Sequence, residues 1–342
     1  TLVDGLLDRL QEQGGGDLIE DFASAIPVEI IGNLLGIPHA ERGPLRAWSL
    51  AILGALEPKL SAEQHERGNR SVCDMLAYLR TLVSERRRHP GNPDHDVLTR
   101  LIQGEAGGEQ LSEVELLQNC IFILNAGHET TTNLIGNGLV CLHDHPQARA
   151  RLIEQPELIK TAIEEMLRYE SSNQLGNRIT TQAVNLGGVA MPAGTRLTLC
   201  IGAANRDPAQ FEDPETFDVG RQPNRHLAFA SGAHACAGMS LARLEGQIAI
   251  GRWLKRFPDF TLAGAPVRPV LGPGLPLRRE VERRPDAHAG QVRREGHLAE
   301  HARRRQEVLR RVLAVDAHLD GVAGARLQRR GGLGAQVQRA QA

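Results

Sequence analysis

Apolar positions recur along this chain in two rhythms, one with a helical period and one that alternates. Leu2, Val3, Leu6, Leu7 and Leu10 fall three and four residues apart, which predicts a helix that ends by Gly14. The run DFASAIPVEIIGNLLGIP predicts a second helix closed by Gly36 and Pro38. RAWSLAILGAL and RSVCDMLAYLRTLVSERRR keep the same period, and HPGNPDHD is a turn. The longest helical stretch follows: Ser112 and Glu115 form an S-x-x-E capping box, and Pro146 bars continuation. Roughly thirty residues at 1.5 Å each give a rod of about 45 Å, long enough to cross a domain. Its middle, CIFILNAG, is apolar almost all round, which predicts a central, buried helix. Polar AGHETTT sits inside that rod, and polar groups in a core need partners or a purpose.

A short helix is expected behind Pro146, and PELIKTAIEEMLRYES predicts another with Pro156 near its N-terminus. The rhythm then changes. NRITTQAVNLGGVAMPAGTRLTLCIGAANRDP alternates polar with β-branched or apolar residues around Gly-Gly and Pro-Ala-Gly turns, the pattern of a small sheet. Irregular chain, FEDPETFDVGRQPNRHLAF, leads into FASGAHACAG. A helix from about Ala237 onward shows helical spacing at Leu241, Leu244, Ile248 and Leu254. The fold class is therefore mainly α with a small β component.

The 342 residues suffice for one large domain or two ordinary ones, and 41% hydrophobic residues can build a core. A formal net charge of -1 gives no global reason to expect nucleic acid or an acidic membrane as partner. The charge is unevenly spread: residues 278–342 hold 15 Arg and 8 acidic residues, a net of +7, leaving about -8 on the rest. No aromatic residue follows Phe260. The boundary is placed after residue 267, with residues 268–342 a basic tail that cannot bury a core of its own. This tail reads as out-of-frame or unrelated sequence, although EVLRRVLAVDAHL within it is amphipathic. Five widely spaced cysteines with no CxxC pair argue against a disulfide framework or a zinc ribbon and for a reducing cytoplasm. No apolar run approaches membrane-spanning length. A start in mid-periodicity without an initiator Met reads as a fragment.

Four short constellations carry candidate chemistry, and each has an ordinary reading. Cys236 is either a buried loop thiol or a thiolate presented at a helix mouth, where free N–H groups favour the ionised form; Ala235, Ala237 and Gly238 leave space for a flat ligand over the sulfur. HETTT fails the zinc pattern HExxH because residue 132 is Thr132. What remains is Glu129 beside Thr130, close to Gly127: either a proton-relaying pair in a groove, or a Thr bonded back to its own helix with a Glu reaching solvent. Glu165 and Arg168 share a helix face, as a solvated ion pair would. His226, His234 and Arg178, met singly, read as surface or turn residues.

In chain order, AGHETT, then EMLR, then an arginine-bearing strand, then FASGAHACAG opening a helix, resemble the cytochrome P-450 family of haem-thiolate monooxygenases. The likeness runs from about residue 1 to about residue 265 and is strongest to soluble bacterial members. It implies Cys236 as proximal ligand to the iron of haem b, with Phe229 packed beside it and Gly238 in the same cofactor-binding segment. His226, His234 and Arg178 match positions that hold haem propionates. Glu165, Arg168 and Arg221 match a buried structural network, Glu129 and Thr130 the acid–alcohol pair, and Ala126 with Gly127 the room left for dioxygen. Thiolate ligation favours O–O cleavage, and a Thr hydroxyl backed by a carboxylate delivers protons where an apolar helix excludes water.

The chain departs from the family pattern at Ala230, where Gly or Ser is usual, and in SSNQLG, which lacks the common proline. The helices and strands that normally begin the family do not precede Thr1. The resemblance implies a cytoplasmic, monomeric monooxygenase acting on a small apolar organic substrate with dioxygen as co-substrate. Electrons would come from NAD(P)H through a ferredoxin reductase and ferredoxin, without nucleic-acid or membrane partners. The alternative is a truncated, inactive remnant of such an enzyme.

Overall fold

The computed structural model describes residues 1–55, 60–104 and 110–263. The tail and its amphipathic run therefore lie outside the described residues, as does the expected boundary at residue 267. Helices come first: α1 (Leu2–Gln13), a π-helical turn (Leu18–Ala23), α2 (Ala25–Leu34), α3 (Leu45–Gly54), α4 (Ala62–Arg88), α5 (Val97–Gln103) and α6 (Glu113–Asp144). After α7 (Pro146–Glu154) and α8 (Ile159–Tyr169) come strands β1 (Gly176–Ile179), β2 (Val184–Leu186), β3 (Val189–Met191) and β4 (Arg196–Leu199), then α9 (Ile201–Ala204) and α10 (Met239–Arg256).

The described chain divides into two units. The first comprises Thr1–Ser172, Phe217–Pro223 and the segment from Gly238 on; the second comprises Asn173–Thr216 and Asn224–Ala237. In the first unit the ends of the helices follow their capping chemistry. Thr1 with Asp4, Ser61 with Gln64 and Ser112 with Glu115 form capping boxes, and Gly14 takes the left-handed conformation that closes α1. The 32 residues of α6 extend about 48 Å. Its first half buries Leu116, Leu117, Cys120 and Leu124 against Ile31, Leu45, Met75, Leu79 and Leu98. Burial pushes the Cys120 thiol up to about 11, so it serves as a small apolar side chain there. In its second half, a Cβ on Gly138 would lie 2.7 Å from Met166 Sδ and 2.8 Å from Ile250 Cδ1, so a bare backbone here lets α8 and α10 approach α6.

Four expectations need correction. The second expected helix is two elements, because residues 18–23 form a π-helical turn before α2. The central helix is not buried all round: Phe122 is 69% exposed and Ala126 lies on the same exposed side, four residues on. The last helix begins at Met239 rather than near Ala237. It buries Glu245, Gly246, Ala249 and Ile250 while Leu244 (52% exposed) and Ile248 (40% exposed) face outward. In the second unit the expected small sheet is two separate antiparallel pairs, β1 with β4 and β2 with β3.

Candidate functional site

In the first unit, Ala126, Gly127, Glu129 and Thr130 occupy successive positions of one turn of α6; Ala126 is exposed and the other three are half-buried. Thr130 Oγ1 donates to the Ala126 carbonyl at 2.8 Å, so the back-bonded arrangement is present in this state. Asn125 and Thr132 do the same, donating to the carbonyls of Ile121 (2.9 Å) and His128 (3.0 Å). Ser172 Oγ donates to the Thr130 carbonyl at 2.7 Å, tying the chain after α8 to this turn. Three side-chain bonds to helix carbonyls within eight residues are unusual for a helix interior, and they mark the turn where polar residues interrupt the apolar run.

Behind α6, Glu165 and Arg168 are completely buried, so the solvated-pair reading does not hold. Arg168 grips Glu165 with two parallel bonds, Nε to Oε2 and NH2 to Oε1, both 2.8 Å. Arg221 Nε adds 3.1 and 3.2 Å contacts to the same carboxylate, and the Asp218 backbone N–H donates to Oε1 at 2.9 Å. The expected network of Glu165, Arg168 and Arg221 is therefore assembled in one place. It anchors residues 217–223 to α8, helped by Thr161 Oγ1, which donates to the Val219 carbonyl at 2.7 Å.

The second unit carries Cys236 on a run of exposed residues, 231–237. The Cys236 backbone N–H donates to the Phe229 carbonyl at 2.9 Å, which closes a loop around residues 230–235. That loop contains a short helical turn, Gly232–His234, and needs left-handed backbone at Gly232 (φ 63°) and Ala230 (φ 56°). The departure at Ala230 thus falls where a Cβ is disfavoured. His226 stacks near Phe229 with ring centroids 6.0 Å apart, and its Nδ1 accepts from the Ala228 N–H at 3.2 Å. His234 is exposed, two residues before Cys236. Arg178 lies on β1 and donates to the Asn177 carbonyl at 2.9 Å. Gly238 is the N-cap of α10 and belongs to the first unit.

Several residues in these sites were not singled out by sequence. Asn205 is fully buried, and its Oδ1 accepts from the Leu227 N–H at 2.7 Å, anchoring the segment before the cysteine loop. No pattern flags a lone Asn with this duty. His128 is buried against Ser49 and Arg46. Its place was detectable, because Cys120, Leu124 and His128 repeat every four residues along the buried face of α6. Among the described residues no cluster of His, Cys, Asp and Glu could hold a metal ion by several side chains. The exposed thiol of Cys236, with small residues on both sides and its backbone fixed by Phe229, fits haem attached through one sulfur.

Comparison with known proteins bears on that fit. The sequence model described as Cytochrome P450 matches residues 56–273. The biotin biosynthesis cytochrome P450 of Bacillus subtilis is 39% identical over 272 residues, covering 79% of this chain and 68% of the relative. Cytochrome P450 107B1 of Saccharopolyspora erythraea is 42% identical over 266 residues, covering 78% and 63%. Among solved structures, P450BioI in complex with a hexadec-9Z-enoic acid-ligated acyl carrier protein superposes with a TM-score of 0.75 at 39% identity, covering 79% of this chain and 69% of that one. The chain thus spans about two thirds of the length of the relatives it matches.

Proposed function

Because the chain belongs to the cytochrome P450 family, we propose that it is the greater part of a haem-dependent monooxygenase that inserts one atom of dioxygen into an apolar organic substrate. The observation that carries this reading is the Cys236 loop: one exposed thiol, bounded by Ala235 and Ala237, on a backbone fixed by the Phe229 carbonyl. Cys236 would be the ligand to iron, with Phe229 beside it and Gly238 in the same segment; Arg178, His226 and His234 would meet the propionates. Bound haem supplies dioxygen activation and oxygen-atom transfer.

The remaining chemistry belongs to the chain. Glu129 and Thr130 would pass protons from solvent inward, the half-buried carboxylate taking them up and the half-buried hydroxyl handing them on once its side chain has turned. In that role Thr130 Oγ1 would turn away from the Ala126 carbonyl, a rotation that costs one exposed hydrogen bond. Ala126 and Gly127 would leave room beside the pair. The Glu165, Arg168 and Arg221 network would serve as scaffold, since its contacts tie residues 217–223 to α8.

Electrons would reach the enzyme from NAD(P)H through a ferredoxin reductase and a ferredoxin. The five widely spaced cysteines, with no CxxC pair, fit a reducing cytoplasm, and no helix among the described residues is long and apolar enough to cross a membrane. The test is the reduced carbon monoxide spectrum of the haem-reconstituted chain. The wild type should show the strongly red-shifted Soret band of thiolate ligation, and Cys236→Ser should lose it. A band retained in the variant would overturn the assignment.

A further inference from the structure

His128 is a buried titratable side chain that the proposed function leaves unused. It lies on α6 between Gly127 and Glu129 and is 3% exposed. Its Nδ1 lies 3.4 Å from Ser49 Oγ, and its Nε2 lies 3.4 Å from an Arg46 guanidinium nitrogen. Both partners sit on α3, one turn apart. Arg46 continues the chain of contacts outward: its Nε donates to Glu20 Oε2 at 3.0 Å and its NH2 pairs with Oε1 of the same carboxylate. Glu20 belongs to the π-helical turn, so the contacts that start at the imidazole run through α3 to a third element. Beside it, a Cβ on Gly127 would lie 2.4 Å from Ile31 Cδ1, so α2 also presses on this turn.

Chemistry dictates the state of the ring. Burial, and next the Arg46 charge, lower the His128 pKa to about 4, against an opposing pull from Glu20. The imidazole is neutral and carries one N–H. Arg46 can only donate, so Nε2 must accept, and the proton stays on Nδ1, where it faces Ser49 Oγ. These two contacts favour the Nδ1–H tautomer and orient the ring between Arg46 and Ser49.

We infer that His128 is a positioning residue that latches α3 onto α6 at the turn carrying Glu129 and Thr130. This rests on the proposed role of that pair, although the latch itself is tested without turnover. The latch couples a helix boundary to the proton-relay turn. When α3 is docked, the ring sits between Ser49 and Arg46 and the turn is held; when α3 lifts, both contacts part and the turn loses its brace on that side.

The experiment is hydrogen exchange of the α3 amides in the full, haem-reconstituted chain. His128→Leu should speed exchange of residues 46–54 about tenfold, whereas His128→Gln, which keeps a donor and an acceptor, should stay within about threefold of wild type. Arg46→Met removes the same contact from the other side and should accelerate the same amides. Combining it with His128→Leu should give less than the sum of the two effects, because both remove the His128–Arg46 contact while each also removes one of its own, to Ser49 or to Glu20. His128→Leu should also raise the peroxide released per NAD(P)H consumed severalfold while leaving the thiolate spectrum intact. Unchanged α3 exchange in His128→Leu, Gln as disruptive as Leu, or additive effects of the two substitutions would each overturn the latch. If His128→Leu fails to fold, Arg46→Met decides by comparison with Glu20→Gln, which weakens only the Arg46–Glu20 pair: α3 exchange no faster in Arg46→Met than in Glu20→Gln overturns the latch. Loss of the thiolate spectrum in wild type would instead refute the haem reading and leave the exchange result standing.

Discussion

Replacing Glu245 by Gln should remove a large part of the pH dependence of stability. Glu245 faces inward from α10 and is 4% exposed, and its Oε2 has no hydrogen-bond partner among the described residues. Burial pushes its pKa from the ordinary 4.5 up to about 7. In the unfolded chain the carboxyl is hydrated and loses its proton near 4.5. Between those two values the folded protein holds a proton that the unfolded chain has released, so stability must fall as pH rises through the window. The contribution is fully present below about pH 4.5 and is lost above about pH 7; the gap is worth about 3 kcal/mol. Urea unfolding of wild type and Glu245→Gln, followed by circular dichroism at intervals from about pH 5 to about pH 8, isolates this carboxyl by difference. The variant should gain on the wild type by most of about 3 kcal/mol across that range. A constant offset of about 1–3 kcal/mol from the unpaired amide is expected and does not affect the slope. Parallel curves would refute the claim that burial raises the pKa of this carboxyl.

Two further substitutions probe the scaffold. Ala230→Gly relieves left-handed backbone at φ 56° and should stabilise the protein by about 1 kcal/mol, read as a higher melting temperature; a destabilised variant would show that the loop does not hold this conformation. Arg168→Met removes the principal partner of a fully buried carboxylate and should cost about 3–5 kcal/mol, with Glu165→Gln in the same chain recovering part of the loss. A loss below about 1 kcal/mol would mean that the pair behaves as a solvated one.

The legible parts of this fold are those where a local sequence signal has a local cause. The capping box at Ser112, the stop at Pro146 and the left-handed close at Gly14 are each set by residues within one turn, and each is where the pattern placed it. The sheet was legible as alternation but not as two separate pairs, because pairing depends on which strands meet, which alternation does not encode. The Glu165 network was legible only through family resemblance. Its i, i+3 spacing is that of any surface ion pair, and the partners that make burial tolerable, Asp218 and Arg221, lie more than fifty residues away.

The last helix shows most clearly where periodicity stops being informative. Leu241, Leu244, Ile248 and Leu254 keep helical spacing, and by itself that stripe would be turned inward; Leu254 is buried, but Leu244 and Ile248 are exposed. The structure turns the neighbouring stripe inward instead, with Glu245 and Gly246 followed by Ala249 and Ile250. The reason lies in the opposing surface. A Cβ on Gly246 would come within 3.2 Å of both Leu134 and Ile163, so the small residue lets α10 settle on α6 and α8 more closely than a leucine stripe could. The close approach carries Glu245 into the core as the residue next to the contact. The unpartnered acid is therefore a consequence of the packing choice, which is why the pH slope removed by Glu245→Gln also tests whether α10 is seated on this face. Were Leu244 and Ile248 the inward stripe, Glu245 would meet solvent and the slope would be absent from the start.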